Sequence, residues 1–217
     1  MYLPPAFAVD DQSEIDRLIR HHPFGLLVTG ALNDFPAATH LPMLAQRSES
    51  GLKLLGHIAR ANPQCAAIRE GAPALAVFTG AHAYISPSWY DPPYPQVPTW
   101  NYSAVHARGH LREVPDPHEI LAALTARFEA TFASPWEFAR LDRAFVENQM
   151  RGITAFEFAV ERIEGKAKLS QNRTDRDAAG AIAGLKESAS SLDRACAAEM
   201  QRAYERRESV TSVRAKG

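Results

Sequence analysis

The sequence predicts a mainly β fold with flanking helices, of the α+β class, whose strands close into a small barrel. Three observations predict it. About six segments carry strand-like patterns. They follow one another across short turns, as an antiparallel meander requires. The longer helical patterns mark the start, a stretch inserted before the last strand, and the C-terminal region.

The 217 residues are 46% hydrophobic and 23% charged, enough for one large domain or one domain with an appendage. The second reading is the one expected here: a barrel domain over 1–175 with a helical insertion at about 117–150, and a helical extension over 176–217. The formal net charge is -1 and the pI about 6.7, so no global basic field draws the chain to nucleic acid or to an anionic membrane. DNA binding is possible but unsupported by charge. The apolar runs Phe24 to Val28 and Pro73 to Phe78 fall far short of the roughly 20 residues of a membrane span. The start, MYLPPAFAVDD, has neither the basic n-region nor the apolar core of a signal peptide, so a cytoplasmic location and no membrane partner are expected. Cys65 and Cys196 show no metal-like spacing and read as buried or half-buried thiols.

In order, Asp11 to Glu14 opens a short helix with Ile15, Leu18 and Ile19 at a 3.6 period, ended by His21-His22-Pro23. Phe24 to Thr29 reads as a buried strand and Phe35 to Ala45 as its hairpin partner across Gly30 to Asp34. Leu52 to Ile58 follows a turn at Ser48 to Gly51. Next comes HIARANPQCAAIREG, in which a helix is expected to open near Pro63 with Asn62 as its cap. Free N–H groups there, with Arg60 and His57 beside them, could seat an anion. Most helix starts bind only water, however, and no glycine-rich loop strengthens this one.

Pro73 to Thr79 is another buried strand. It leads into residues 82 to 114, where aromatic, proline and histidine residues concentrate beyond what core building needs. The strand breaks at Pro87, loops through Asp91-Pro92-Pro93 and Pro95 to Pro98, and returns as a long strand from Thr99 to Val114. A proline-stiffened loop flanked by Trp89, Tyr90, Trp100 and Tyr102 presents flat side chains at low entropic cost. That suits a planar ligand. In the long strand, Val105, Ala107, Gly109 and Leu111 share one face and His106, Arg108 and His110 the other. His106 and His110 are then about 13 Å apart, too far to share a metal, and none is expected.

Asp116-Pro117 announces a helix to Phe132 with Ile120, Leu121, Leu124 and Phe128 as its stripe. A second helix is expected from Ser134-Pro135 to about Met150, with Trp136, Phe138, Leu141 and Phe145 packing inward. Ile153 to Ile163 alternates as a strand. It exits into EGKAKLSQNRTDRD, readable as a solvated charged loop or as an anion-recognising donor set built from Lys166, Lys168, Ser170, Gln171, Asn172 and Arg173. Helices at Ala178 to Lys186 and Ser191 to Arg207 close the chain before a frayed ESVTSVRAKG; the last is laced with alternating charges.

Five collinear motifs carry a resemblance: ATHLPM (38 to 43), GHIARANPQ (56 to 64), YISPSWY (84 to 90), VPTWNYSAVHARG (97 to 109) and KAKLSQNR (166 to 173). They resemble the PaiB family of FMN-binding proteins, often called negative transcriptional regulators, over roughly residues 1 to 190. The resemblance implies an FMN-binding split β-barrel that works as a homodimer, with two flavins at the subunit interface. It implies phosphate near His57, Arg60 and Asn62, and a strand with Thr39, His40 and Leu41 under the ring. It assigns Trp100, Asn101 and Tyr102, with Lys168, Ser170, Gln171 and Arg173, to the partner's contribution. Cys65 stands where an aromatic commonly follows the NPQ motif, a change that touches packing more than donors.

Three functions are then open: an FMN-binding regulator or flavin-based sensor, a flavin-dependent oxidoreductase using NAD(P)H, or a haem-binding barrel with His40, His57, His82, His106 or His110 as axial ligand. No helix-turn-helix pattern supports direct DNA binding, and the balanced charges of the last helix argue against it.

Overall fold

The structure, a computed structural model, describes residues 1–32, 35–49 and 51–214. Parts of the turns expected at Gly30 to Asp34 and Ser48 to Gly51, and the last residues of the expected frayed tail, lie outside the described residues. In chain order the elements are β1 (Ala8–Val9), α1 (Gln12–His21), β2 (Phe24–Leu32), β3 (Phe35–Pro42), β4 (Leu44–Ser48), β5 (Gly51–Ala59), α2 (Cys65–Arg69) and β6 (Pro73–Ile85). Then follow β7 (Thr99–Val114), α3 (His118–Glu129), α4 (Arg143–Met150), β8 (Ile153–Lys168), α5 (Asp175–Lys186) and α6 (Ser191–Arg214). The fold is an α+β split barrel. Its strand order is β3-β2-β6-β7-β8-β5-β4, with β1 on β8.

The strand expected over Phe35 to Ala45 is two strands. β3 pairs antiparallel with β2 and β4 with β5, so the halves stand at opposite ends of the strand order while only Met43 separates them in the chain. Proline at 42 has no N–H for a ladder, and the Met43 N–H goes to Pro23 O at 2.9 Å instead. Leu41 and Met43 are both buried.

Two compact units divide the chain, and β6, β7 and β8 each have residues in both. The first comprises Met1–Leu18, Thr79–Val105 and Glu164–Gly217; the second Ile19–Phe78 and His106–Ile163. In the second unit Leu27, Leu41, Leu54, Phe78, Phe156 and Phe158 are core residues, and truncating either of the last two phenylalanines to alanine would cost about 3–5 kcal/mol. Ile120 and Leu124 of α3 bury against Leu55 and Ala155. The helix expected from Ser134 forms only from Arg143, because Glu129 Oε2 takes the Trp136 N–H at 2.8 Å and Asp142, in extended backbone, caps α4 by accepting from Phe145 N at 3.0 Å. Trp136 and Phe145 accordingly stay half exposed rather than packing inward.

In the first unit α5 and α6 share a core with β6: Ala81, Ala83, Ile85, Tyr90, Leu169, Ala181, Ile182, Leu185, Cys196 and Met200. Cys65 and Cys196 are buried free thiols, the second pushed up to about 12 by burial and then by Asp193 and Glu199. The charges of α6 are laced as expected, but largely to α1: Arg202 and Arg206 both reach Glu14, and Arg17 bridges Glu14 and Glu199. β8 also continues to Lys168, through residues expected in a loop, because β1 pairs with its end at Lys166 and Gly165. The last helix runs on to Arg214. No described helix is long and apolar enough to cross a membrane.

Candidate functional site

In the second unit two of the predicted site residues, Thr39 and Asn62, gather around Gln64, which the sequence reading passed over. The helix expected at Pro63 is only the five residues of α2, opening at Cys65, so it offers no helix N-terminus to an anion. Asn62 forms a turn instead: its Oδ1 accepts from Gln64 N at 2.9 Å while its Nδ2 donates to Thr39 Oγ1 at 2.9 Å. The Thr39 hydroxyl in turn donates to Gln64 Oε1. Gln64 Nε2, buried, lies 3.1 Å from Thr29 Oγ1, 3.2 Å from Ala37 O and 3.3 Å from Leu27 O. One amide thus pins two strands and the turn after β5.

Strand alternation splits the predicted trio on β3. Leu41 is in the core, Thr39 is half-buried, and His40 is exposed with its ring stacked on Phe24 at 6.0 Å. Arg60 is committed to backbone, donating from Nε to Arg151 O and from Nη2 to Ile153 O, each at 2.7 Å. His57 shares a strand face with Leu55, the face that α3 covers. Its Nδ1 is buried without a partner, and burial lowers its pKa, so the ring is neutral at pH 7. Thr39 and Asn62 are therefore brought together, while His57 and Arg60 have other surroundings.

The first unit gathers a second set. On β7 the alternation sends Trp100 and Tyr102 to one face and Asn101 and Ser103 to the other. Trp100 is 55% exposed, with His82 and Tyr84 of β6 at ring distances of 6.2 and 6.3 Å. Lys168 Nζ donates to Thr99 Oγ1 and to Trp100 O, the latter at 2.6 Å. Lys166 donates to Tyr2 O and lies 5.2 Å from the Tyr102 ring. Arg173 donates to Gln96 Oε1 at 2.8 Å and lies 4.8 Å from the Tyr90 ring. Among the described residues none of these three cations forms an ion pair with a carboxylate. Burial, then the charges of Lys166 and Arg173, hold the Lys168 ammonium below the usual lysine range.

Asn101 is internal: its Nδ2 donates to Ser170 Oγ at 2.8 Å and approaches Met200 Sδ at 3.3 Å. Ser170 has φ +68°, a left-handed conformation uncommon for a residue with a side chain. Gln171 folds back on the chain, Oε1 accepting from Leu169 N and Nε2 donating to Ala167 O. These three residues shape the backbone that presents Lys168 and Arg173.

The proline loop is fastened to α5. Gly180 and Gly184, one turn apart, leave a slot for Trp89: a Cβ at Gly180 would lie 2.1 Å from Trp89 O and one at Gly184 2.3 Å from Trp89 Cε2. Asp177 Oδ1 accepts from Asp91 N at 3.1 Å, and Arg176 pairs with Asp91.

The family model described as "Putative FMN-binding domain" matches residues 1–162. The "Protease synthase and sporulation protein PAI 2" of Bacillus subtilis is 36% identical over 179 residues, 82% of this chain and 85% of that protein. The chain belongs to the PaiB family. An uncharacterized protein of Emericella nidulans is 29% identical, covering 85% of this chain and 90% of its own. Among solved structures, the FAD and haem binding protein of Mycobacterium smegmatis superposes with TM-score 0.57 at 18% identity, over 79% of this chain and 78% of that one. A flavocytochrome of Azotobacter vinelandii gives TM-score 0.55 at 17% identity, over 80% and 75%. Both likenesses bear on fold alone, and both agree with the split-barrel architecture of the PaiB family.

Proposed function

We propose that this PaiB-family protein binds FMN and works as a homodimer in regulation, with the flavin as sensor. One observation carries the reading: Lys166, Lys168 and Arg173 cluster, with no carboxylate partner among the described residues, beside the half-exposed indole of Trp100. Burial and the neighbouring charges of Lys166 and Arg173 hold the Lys168 ammonium below its usual range; a group of cations favours a multivalent anion, and an exposed indole favours a planar ring. FMN presents both groups in one molecule. The donor set fits it: Lys168 and Arg173 for the phosphate, Trp100 and Tyr102 for flat contact, with Asn101, Ser170 and Gln171 as positioning residues behind them. In the second unit Thr39 and Asn62 form a polar corner of their own, joined by the Asn62 amide.

When bound, the flavin would supply reversible one- or two-electron chemistry. The chain's own part is to bind, to orient and to exclude water. The exposed Tyr94, Val97 and Trp100 are the surface on which a second copy would close.

Titration of the purified protein with FMN, followed by flavin fluorescence and absorbance, tests the reading. Saturable quenching at about one FMN per chain, weakened in Trp100→Ala, supports it; no spectral change refutes it. Addition of NADPH under anaerobic conditions in the same cuvette reports an oxidoreductase as flavin bleaching with turnover, and haemin in a parallel titration reports a haem protein as a Soret band.

A further inference from the structure

His82 stands in the first unit on the face of β6 that also carries Tyr84, opposite the buried Ala81, Ala83 and Ile85. Its Nδ1 lies 3.1 Å from Gly80 O. A carbonyl oxygen only accepts, so the proton of that contact is on Nδ1, and in the neutral ring Nε2 is left with a lone pair and no hydrogen. Nε2 has no partner among the described residues and, unlike His57 Nδ1, is not sealed from solvent. The imidazole is 6.2 Å from the half-exposed indole of Trp100, which Tyr84, itself half exposed, meets edge-on at 6.3 Å. Lys166, Lys168 and Arg173 can only donate. A fixed acceptor beside a flat aromatic surface therefore asks for a ligand ring with an N–H in its own plane.

We propose that His82 reads the edge of the bound ring, its Nε2 accepting from the N3–H of oxidised FMN. This rests on the flavin reading and adds to it a residue and a ring orientation. Oxidised isoalloxazine has one ring N–H, at N3 between two carbonyls, so the lone pair selects the pyrimidine end over the dimethylbenzene end, which has no donor. The bond to Gly80 does the positioning: it holds the imidazole in one tautomer and keeps Nε2 an acceptor while the ring is neutral. A flat ligand without such an N–H would cover Nε2 and leave it unpaired. That costs more than the bond itself contributes, so His82 discriminates against ligands of that kind.

The test is fluorescence titration of the full chain with FMN and with N3-methyl-FMN, in the unaltered protein and in His82→Phe, which keeps a flat ring and removes the acceptor. The unaltered protein should bind FMN about tenfold more tightly than N3-methyl-FMN, the change that accompanies one acceptor left unpaired. His82→Phe should bind FMN about tenfold more weakly and no longer tell the two apart. In long-range nitrogen-15 spectra of the unaltered protein, the His82 Nε2 resonance should move more with saturating FMN than with the methylated analogue, a readout that needs no variant. Equal binding of the two flavins by the unaltered protein overturns the assignment and leaves the flavin reading standing; no binding of either overturns both. A methyl penalty that persists in His82→Phe at undiminished FMN affinity overturns the assignment too, because the ring edge then meets a limit of space rather than a lone pair. So does a Soret band with haemin that His82→Phe abolishes, since the lone pair then serves iron.

Discussion

Replacing Gly184 by alanine sets two effects of opposite sign against each other. Alanine in a helix interior is better than glycine by about 1 kcal/mol, so on propensity alone the change stabilises. The added Cβ, however, would lie 2.3, 2.5 and 2.6 Å from Cε2, Nε1 and Cδ2 of Trp89, against ordinary carbon contacts of about 3.5–4.0 Å, so the indole must move by about 1 Å. It cannot withdraw freely, because Trp89 O is itself seated against Gly180. Overpacking of this kind costs about 1–3 kcal/mol, and the pinned backbone argues for the upper part of that range. The net expectation is destabilisation by about 1–2 kcal/mol, a fall in Tm of about 2–8 °C for a chain of this size. In a Trp89→Ala background the obstacle is gone, and Gly184→Ala should then stabilise by about 1 kcal/mol. Urea unfolding of the four proteins of this cycle measures the coupling, expected at about 2–3 kcal/mol. The same sign of effect in both backgrounds would refute the slot.

Three further outcomes are expected. Because burial lowers the His57 pKa, the unfolded chain binds that proton more readily; its contribution is full above about pH 6.5 and is lost as pH falls from there through the lowered folded value, so His57→Leu should flatten that part of the stability profile in urea melts. Asn101→Ala leaves the Ser170 hydroxyl without its 2.8 Å partner and should cost about 1–3 kcal/mol; a loss below about 0.5 kcal/mol would mean that water replaces the amide. Lys168→Met should weaken FMN binding at least tenfold, and in the unaltered protein affinity should fall with rising pH before ordinary lysines near 10.5 titrate, since this ammonium deprotonates early.

Much of the fold was legible where a single period dominates. β7 runs from Thr99 to Val114 as the alternation and the flanking Pro98 require, and its buried face carries Val105, Ala107 and Leu111. What escaped depended on partners distant in sequence. The break at Met43 is set by Pro23, the late start of α4 by Glu129, and the continuation of β8 through Lys166 and Lys168 by β1. Lys166 reads as a solvated charge in a window of its neighbours, but it is buried with Tyr2 O as acceptor. For the site, the motifs named Trp100, Tyr102, Lys168 and Arg173, whose residue types announce their chemistry. They did not separate Asn101 onto the opposite strand face, although period 2 alone implies it. Nor did they give Gln64 its weight; the signal was a fixed amide within ANPQ, directly after the Asn62 turn. His57 and Arg60 were read from a helix start that the chain delays to Cys65.

The seat of Trp89 on α5 has a consequence for the newborn chain. Gly180 follows Trp89 by 91 positions, so at about 5–20 residues per second the ribosome takes roughly 5–18 s to reach it after the indole has been made. Throughout that interval the proline-rich loop has no helix to rest on, and any product terminated ahead of residue 180 would keep an unsheltered tryptophan on a loop free to meet other chains or a protease.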